Sequence, residues 1–123
     1  MKIQYRISAF ETNSSSTHSL TMCNLTDYSS WKRGDVLYHI PTREFVSIEK
    51  AIDINNRILN NYNENTNKKI NSFNDLPIIE QMDGAVTALQ YEDIAEDQEW
   101  NTFVKFLEMG DNTAVSFGYF AVY

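Results

Sequence analysis

The chain has 123 residues, 42% of them hydrophobic and 13% aromatic, with 17 Asp/Glu against 10 Lys/Arg and a net charge of −7. That length fits one compact domain, and that apolar content excludes a disordered acidic tail. A lone cysteine, Cys23, excludes an internal disulfide framework and a multi-cysteine zinc site.

Residues 1–70 hold nine Lys/Arg and seven Asp/Glu, a balance of +2, whereas residues 71–123 hold Lys105 alone against ten Asp/Glu, a balance of −9. An acidic stretch repels nucleic acid and attracts basic surfaces. Solubility is the plain explanation. An acidic face that imitates a nucleic-acid backbone is the sharper one. No apolar run is long enough to cross a bilayer, and residues 1–6 alternate in polarity without a signal-peptide core. A cytoplasmic location and no membrane partner are therefore expected.

In chain order, Ile3, Tyr5, Ile7 and Ala9 alternate with Lys2, Gln4, Arg6 and Ser8, the period of a strand with one wet face. The loop 11–17 is rich in Ser, Thr and Asn, which hydrogen-bond their own backbone in turns. Alternation resumes with His18, Leu20 and Met22 on one face, so a hairpin with a wide polar tip is expected. Residues 24–34 read as a loop. Residues 36–40 and 43–46 read as two strands about a Pro41-Thr42 turn. Ser47 reads as the N-cap of an amphipathic helix over 48–62, carried by Ile48, Ala51, Ile52, Ile58, Leu59 and Tyr62. Its many asparagines, from Asn55 to Asn67, read as compositional bias.

Residues 75–82 predict a short helix with Pro77 in its first turn, and 85–91 a strand. Asp93-Ile94-Ala95-Glu96 has the form of a capping box, followed by Trp100, Phe103, Val104 and Leu107 at helical spacing, with Gly110 as the stop. Residues 113–123 read as a central strand buried on both faces, with Gly118 a bulge or close-approach point. The expected fold is α+β: a mostly antiparallel sheet of about five to six strands packed with two main helices in a single domain. Residues 1–46 form its β-rich part with the Ser/Thr/His loop, and 47–123 its helix-strand acidic part.

The chemistry offered is sparse. His18 beside Ser16 could act as acid–base in phosphodiester cleavage, with His39 or a serine as second group. Small polar residues such as Asn13 and Ser14 could turn backbone N–H groups toward a phosphate. A solvated hairpin tip is the plainer reading of the same residues. Trp31-Lys32-Arg33 could stack on a base and hold a phosphate, joined by Lys2, Arg6 and Arg43 in a basic patch; an ordinary exposed turn is the alternative. Two histidines 21 positions apart make no metal-ligand spacing, and no cofactor is expected. Asp93, Glu96, Asp97 and Glu99 are the candidate contacts for a basic partner. The aromatic C-terminal strand, were it an edge, would leave a homodimer open.

The stretch Phe-Glu-Thr-Asn-Ser-Ser-Ser-Thr-His-Ser-Leu over residues 10–20, behind a strand that begins Met-Lys-Ile-Gln-Tyr-Arg, resembles the N-terminal signature of a family of small proteins of Gram-positive phages and plasmids. Some of these are similar to type II-A anti-CRISPR proteins. The resemblance covers roughly the first 25 residues and carries no catalytic assignment onto Ser14, Ser15, Ser16 or His18. It implies inhibition of an RNA-guided nuclease, in some relatives with loss or trimming of the guide RNA. The expected partners are a type II effector nuclease, its guide RNA, or both. Two alternatives stay open: a small ribonuclease or activator of guide cleavage working through the Ser/Thr/His loop, and a phage accessory protein unrelated to CRISPR.

Overall fold

The computed structural model describes residues 2–4, 16–97 and 100–122, and these described residues form seven strands and four α-helices. The class is α+β, as expected, but the described strands divide between two antiparallel sheets. Two compact units account for the chain. The first is Met1–Ser30 with Ala95–Tyr123, and the second is Trp31–Ile94.

The first unit holds a four-stranded sheet made of β1 (Lys2–Gln4), β2 (Ser16–Asn24), β6 (Asn101–Met109) and β7 (Asn112–Val122), in the order β1-β2-β7-β6. The expected antiparallel pairing of β1 with β2 is present, Ile3 lying opposite Met22. The C-terminal strand is central, between β2 and β6, and so has no free edge for a second copy. Buried Thr21 lies opposite buried Phe117, and buried Cys23 opposite buried Val115. Tyr28 packs edge-on to Phe106 with ring centroids 5.8 Å apart, and 6.1 Å from Phe117. Gly118 is the expected close-approach point: a Cβ there would lie 1.9 Å from the Ser19 carbonyl oxygen and 3.0 Å from the Phe103 ring.

Two sequence expectations fail. The helix expected over the Trp100–Leu107 stripe is instead strand β6, and the strand expected at 85–91 is a two-residue strand followed by a helix. The apolar residues of 100–107 satisfy both periods, but Thr102, Phe103, Val104 and Phe106 are β-branched or aromatic and favour a pleated surface. Gly110 stops the element under either reading. With φ +65° it is the first of two residues linking Met109 to Asn112, the glycine position of a type II′ hairpin.

The second unit holds a sheet in the order β4-β3-β5, formed by β3 (Val36–His39), β4 (Glu44–Ser47) and β5 (Ala85–Val86). Helix α2 (Ile48–Thr66) starts where expected, with Ser47 Oγ accepting from the Lys50 amide at 3.2 Å, and ends at Asn67 in the left-handed region. Pro77 caps the short α3 (Ile78–Gln81), a 3-10 turn at Phe73–Asp75 preceding it. Helix α1 (Leu25–Arg33) occupies the stretch expected to be a loop. Its Ser, Thr and Asp are poor helix formers, but Asn24 Oδ1 accepts from the Asp27 amide at 2.7 Å and Gly34, φ +84°, ends it. Burial of Tyr28 and Trp31 one turn apart then outweighs weak propensity.

Helix α4 (Ala88–Asp97) begins five residues before the expected capping box. The box is at Thr87-Ala88-Leu89-Gln90: Thr87 Oγ1 accepts from the Gln90 amide at 3.1 Å, and Gln90 Oε1 accepts from the Thr87 amide at 2.9 Å. Asp93 and Glu96 are thus in the second half of the helix. The Trp100 amide closes its end on the Ala95 carbonyl at 2.8 Å.

Candidate functional site

The Ser/Thr/His loop lies almost wholly outside the described residues, as do Arg6, Asn13, Ser14 and Glu99. Its C-terminal end is placed by β2, where Ser16 lies opposite Val122 and His18 opposite Phe120, itself opposite Asn101 on β6. Ser16 and His18 are therefore two steps apart on one strand, at register positions lined by β7.

His39 belongs to the second unit, at the end of β3. Its Nδ1 lies 2.8 Å from the Thr42 hydroxyl, across the turn that Arg43 closes with φ +58°. Burial holds its pKa below the usual histidine value of 6.5. The Lys50 charge acts in the same direction. A hydrogen bond to the Asp83 backbone and the charges of Glu44 and Asp83 oppose it. The ring braces the turn through its contact with Thr42.

Trp31 is corrected as a base-stacking residue. It is 3% exposed, its indole nitrogen donates to the Val86 carbonyl at 3.0 Å, and its ring lies 5.4–5.6 Å from those of Tyr38, Phe45 and Tyr91. Lys32 and Arg33 are exposed at the end of α1, but both are engaged: Lys32 with Glu92 at 3.7 Å, Arg33 with Asp35 at 3.0 Å. The expected basic patch loses its aromatic member, and two of its cations are partly neutralised.

The charge asymmetry along the sequence also changes in three dimensions. Residues 95–123 pair back onto the N-terminal strands, so the first unit carries three Lys/Arg against seven Asp/Glu, a balance of −4. The second carries seven against ten, a balance of −3. The segment that bears the Ser/Thr/His loop has no net basic character of its own: residues 1–30 hold Lys2 and Arg6 against Glu11 and Asp27.

Asp93, Glu96 and Asp97 are exposed in the second half of α4, with no basic residue in its last turn. The helix C-terminus carries partial negative charge, so Glu96 and Asp97, in the last turn, each oppose the macrodipole by about 0.3–1 kcal/mol. Their position was not legible, because the box that seemed to start a helix at Asp93 falls inside one. Sequence reasoning also missed the exposed apolar side chains of β6, which the helical reading had assigned to the core. Among the described residues no group of acids, histidines or cysteines is arranged to hold a metal ion, and no helix is long and apolar enough to cross a membrane.

No protein-family model, curated protein or solved structure matches the chain.

Proposed function

We propose that the protein is a non-catalytic inhibitor of a type II-A RNA-guided nuclease that binds the effector, its guide RNA or both, and that it meets the effector through an acidic surface centred on the second half of α4. One observation carries the reading: Asp93, Glu96 and Asp97 stand exposed in the second half of α4, Glu96 and Asp97 in the last turn, where the helix dipole disfavours them and no cation offsets them. Charge held against its local electrostatics is suited to a cationic partner. A nuclease that grips guide and target in a positively charged channel offers such a surface. The resemblance of residues 10–20 to phage proteins of this kind supports the choice of nuclease.

The ribonuclease reading is less well supported. Cleaving RNA requires binding a polyanion, and the unit bearing His18 and Ser16 carries a balance of −4. The test is a DNA-cleavage assay with the guide-loaded nuclease, together with a gel of the guide RNA. Inhibition with intact guide is expected, and it should weaken as salt is raised. Loss of the guide that depends on His18 would replace this reading with the enzymatic one.

A further inference from the structure

We infer that the free edge of β6 is a docking strand for an extended segment of a partner protein, apolar in its middle and rich in lysine or arginine at its ends. β6 is nine residues long and hydrogen-bonded to β7; among the described residues no strand lies along its other edge. Edge strands are ordinarily kept short, bulged or charged, because a row of unpaired N–H and C=O groups templates pairing with another chain. β6 carries a single cation, Lys105, and four exposed apolar side chains. Val104 and Phe106, 41% and 57% exposed, alternate with Leu107 and Met109, 46% and 61% exposed, so both faces of the edge are apolar. A strand added here gains backbone hydrogen bonds and apolar neighbours on either side.

Charge decides the occupant. Glu108 and Asp111 stand at the hairpin end of β6, and Glu96 and Asp97 precede its start by four or five residues. Acids therefore bracket an apolar centre, which favours basic ends on the added segment. A second copy of this chain is a poor occupant. Antiparallel pairing of two β6 strands about a two-fold axis sets the Glu108–Asp111 end of one against the Glu96–Asp97 end of the other. RNA has no peptide groups to extend the ladder. The inference deepens the function proposed above and rests on it for the partner's identity, though not for its chemistry.

The test uses a short synthetic peptide of alternating Val and Thr with lysine pairs at both ends, beside the same peptide ended in glutamate. The lysine-ended peptide is expected to bind about tenfold tighter or more at low salt. It should also slow amide hydrogen exchange along β6. The double variant Leu107→Lys/Met109→Lys alters exposed positions only and should lose binding while keeping its melting curve. If that variant does not fold, the peptide pair still decides. Equal affinity for the two peptides, no binding, protection away from β6, or dimers of the protein formed through β6 overturns the inference. Nuclease inhibition without peptide binding sinks the docking strand alone. Peptide binding without inhibition sinks the proposed function alone.

Discussion

Asn55 grips Ala85 with both atoms of its side-chain amide: Nδ2 donates to the Ala85 carbonyl and Oδ1 accepts from the Ala85 amide, each at 2.9 Å. The contact fastens α2 to β5, a strand of two residues that pairs with β3. Trp31 supplies the neighbouring bond, to the Val86 carbonyl. A strand so short is held because side chains satisfy the backbone groups that a further strand would otherwise satisfy. Asn63 repeats the device on Ile70, again with two bonds of 2.9 Å, and pins the connection after α2.

Replacing Asn55 by Ala leaves the amide and carbonyl of a fully buried residue without partners. Each such group costs about 1–3 kcal/mol. Asn55→Ala should therefore lower the urea midpoint by an amount equivalent to at least about 2 kcal/mol, whereas Asn56→Ala, at an exposed position, should stay within about 0.5 kcal/mol of wild type. Equal midpoints for the two variants contradict the clasp.

Gly118→Ala tests the closest approach in the first unit. A Cβ 1.9 Å from the Ser19 carbonyl oxygen forces β2 and β7 apart across a strand pair with no slack. Overpacking of this kind costs about 1–3 kcal/mol, occasionally more. The variant should melt well below wild type. An unchanged melting temperature contradicts the placement of β7 beside β2.

The pH dependence follows from His39. Its folded pKa lies below the unfolded value of 6.5, so between those two values the unfolded chain binds more protons than the folded one. Stability from this group is complete above pH 6.5, falls as the pH drops through the window below it, and levels off under the folded pKa. His39→Gln should flatten that part of the urea-midpoint profile. An NMR titration of the His39 ring with a midpoint at or above 6.5 contradicts the assignment.

Much of the fold was readable from residue pattern, and the exceptions have physical causes. Ser47, Gly118, the alternation in β3 and the near-continuous apolar run of β7 were readable because each rests on a local requirement: a cap, a missing Cβ, a pleat, a strand covered on both faces. Helix α1 was not, since its stability comes from burying Tyr28 and Trp31, which no local rule registers. The stretch after Asp83 was misread because Asp93-to-Glu96 and Thr87-to-Gln90 both have the form of a capping box, and only packing chooses between them. The asparagines of α2 looked compositional, yet Asn55 and Asn63 each hold a backbone segment thirty or seven residues away. Of the candidate site, the exposed acids could be named from sequence but their place on the helix could not. The charge context of the N-terminal segment changed once β7 paired with β2 and brought 95–123 into the same unit.

The acids of α4 make a paired prediction. Glu96→Gln and Asp97→Asn remove charges that oppose the helix dipole, so each should raise stability by about 0.3–1 kcal/mol. The same changes should weaken binding to the nuclease. Stability and affinity then move in opposite directions, an outcome that a purely structural role for these acids does not produce.

The most direct measurement is inhibition of DNA cleavage by a guide-loaded type II-A nuclease, comparing wild type with Asp93→Asn/Glu96→Gln/Asp97→Asn at low and at high salt. The account predicts that wild type blocks cleavage, that high salt relieves the block, and that the triple variant, folded and at least as stable, blocks about tenfold less or more weakly still. Cleavage that proceeds undisturbed with wild-type protein, or a triple variant that inhibits as well as wild type, contradicts it.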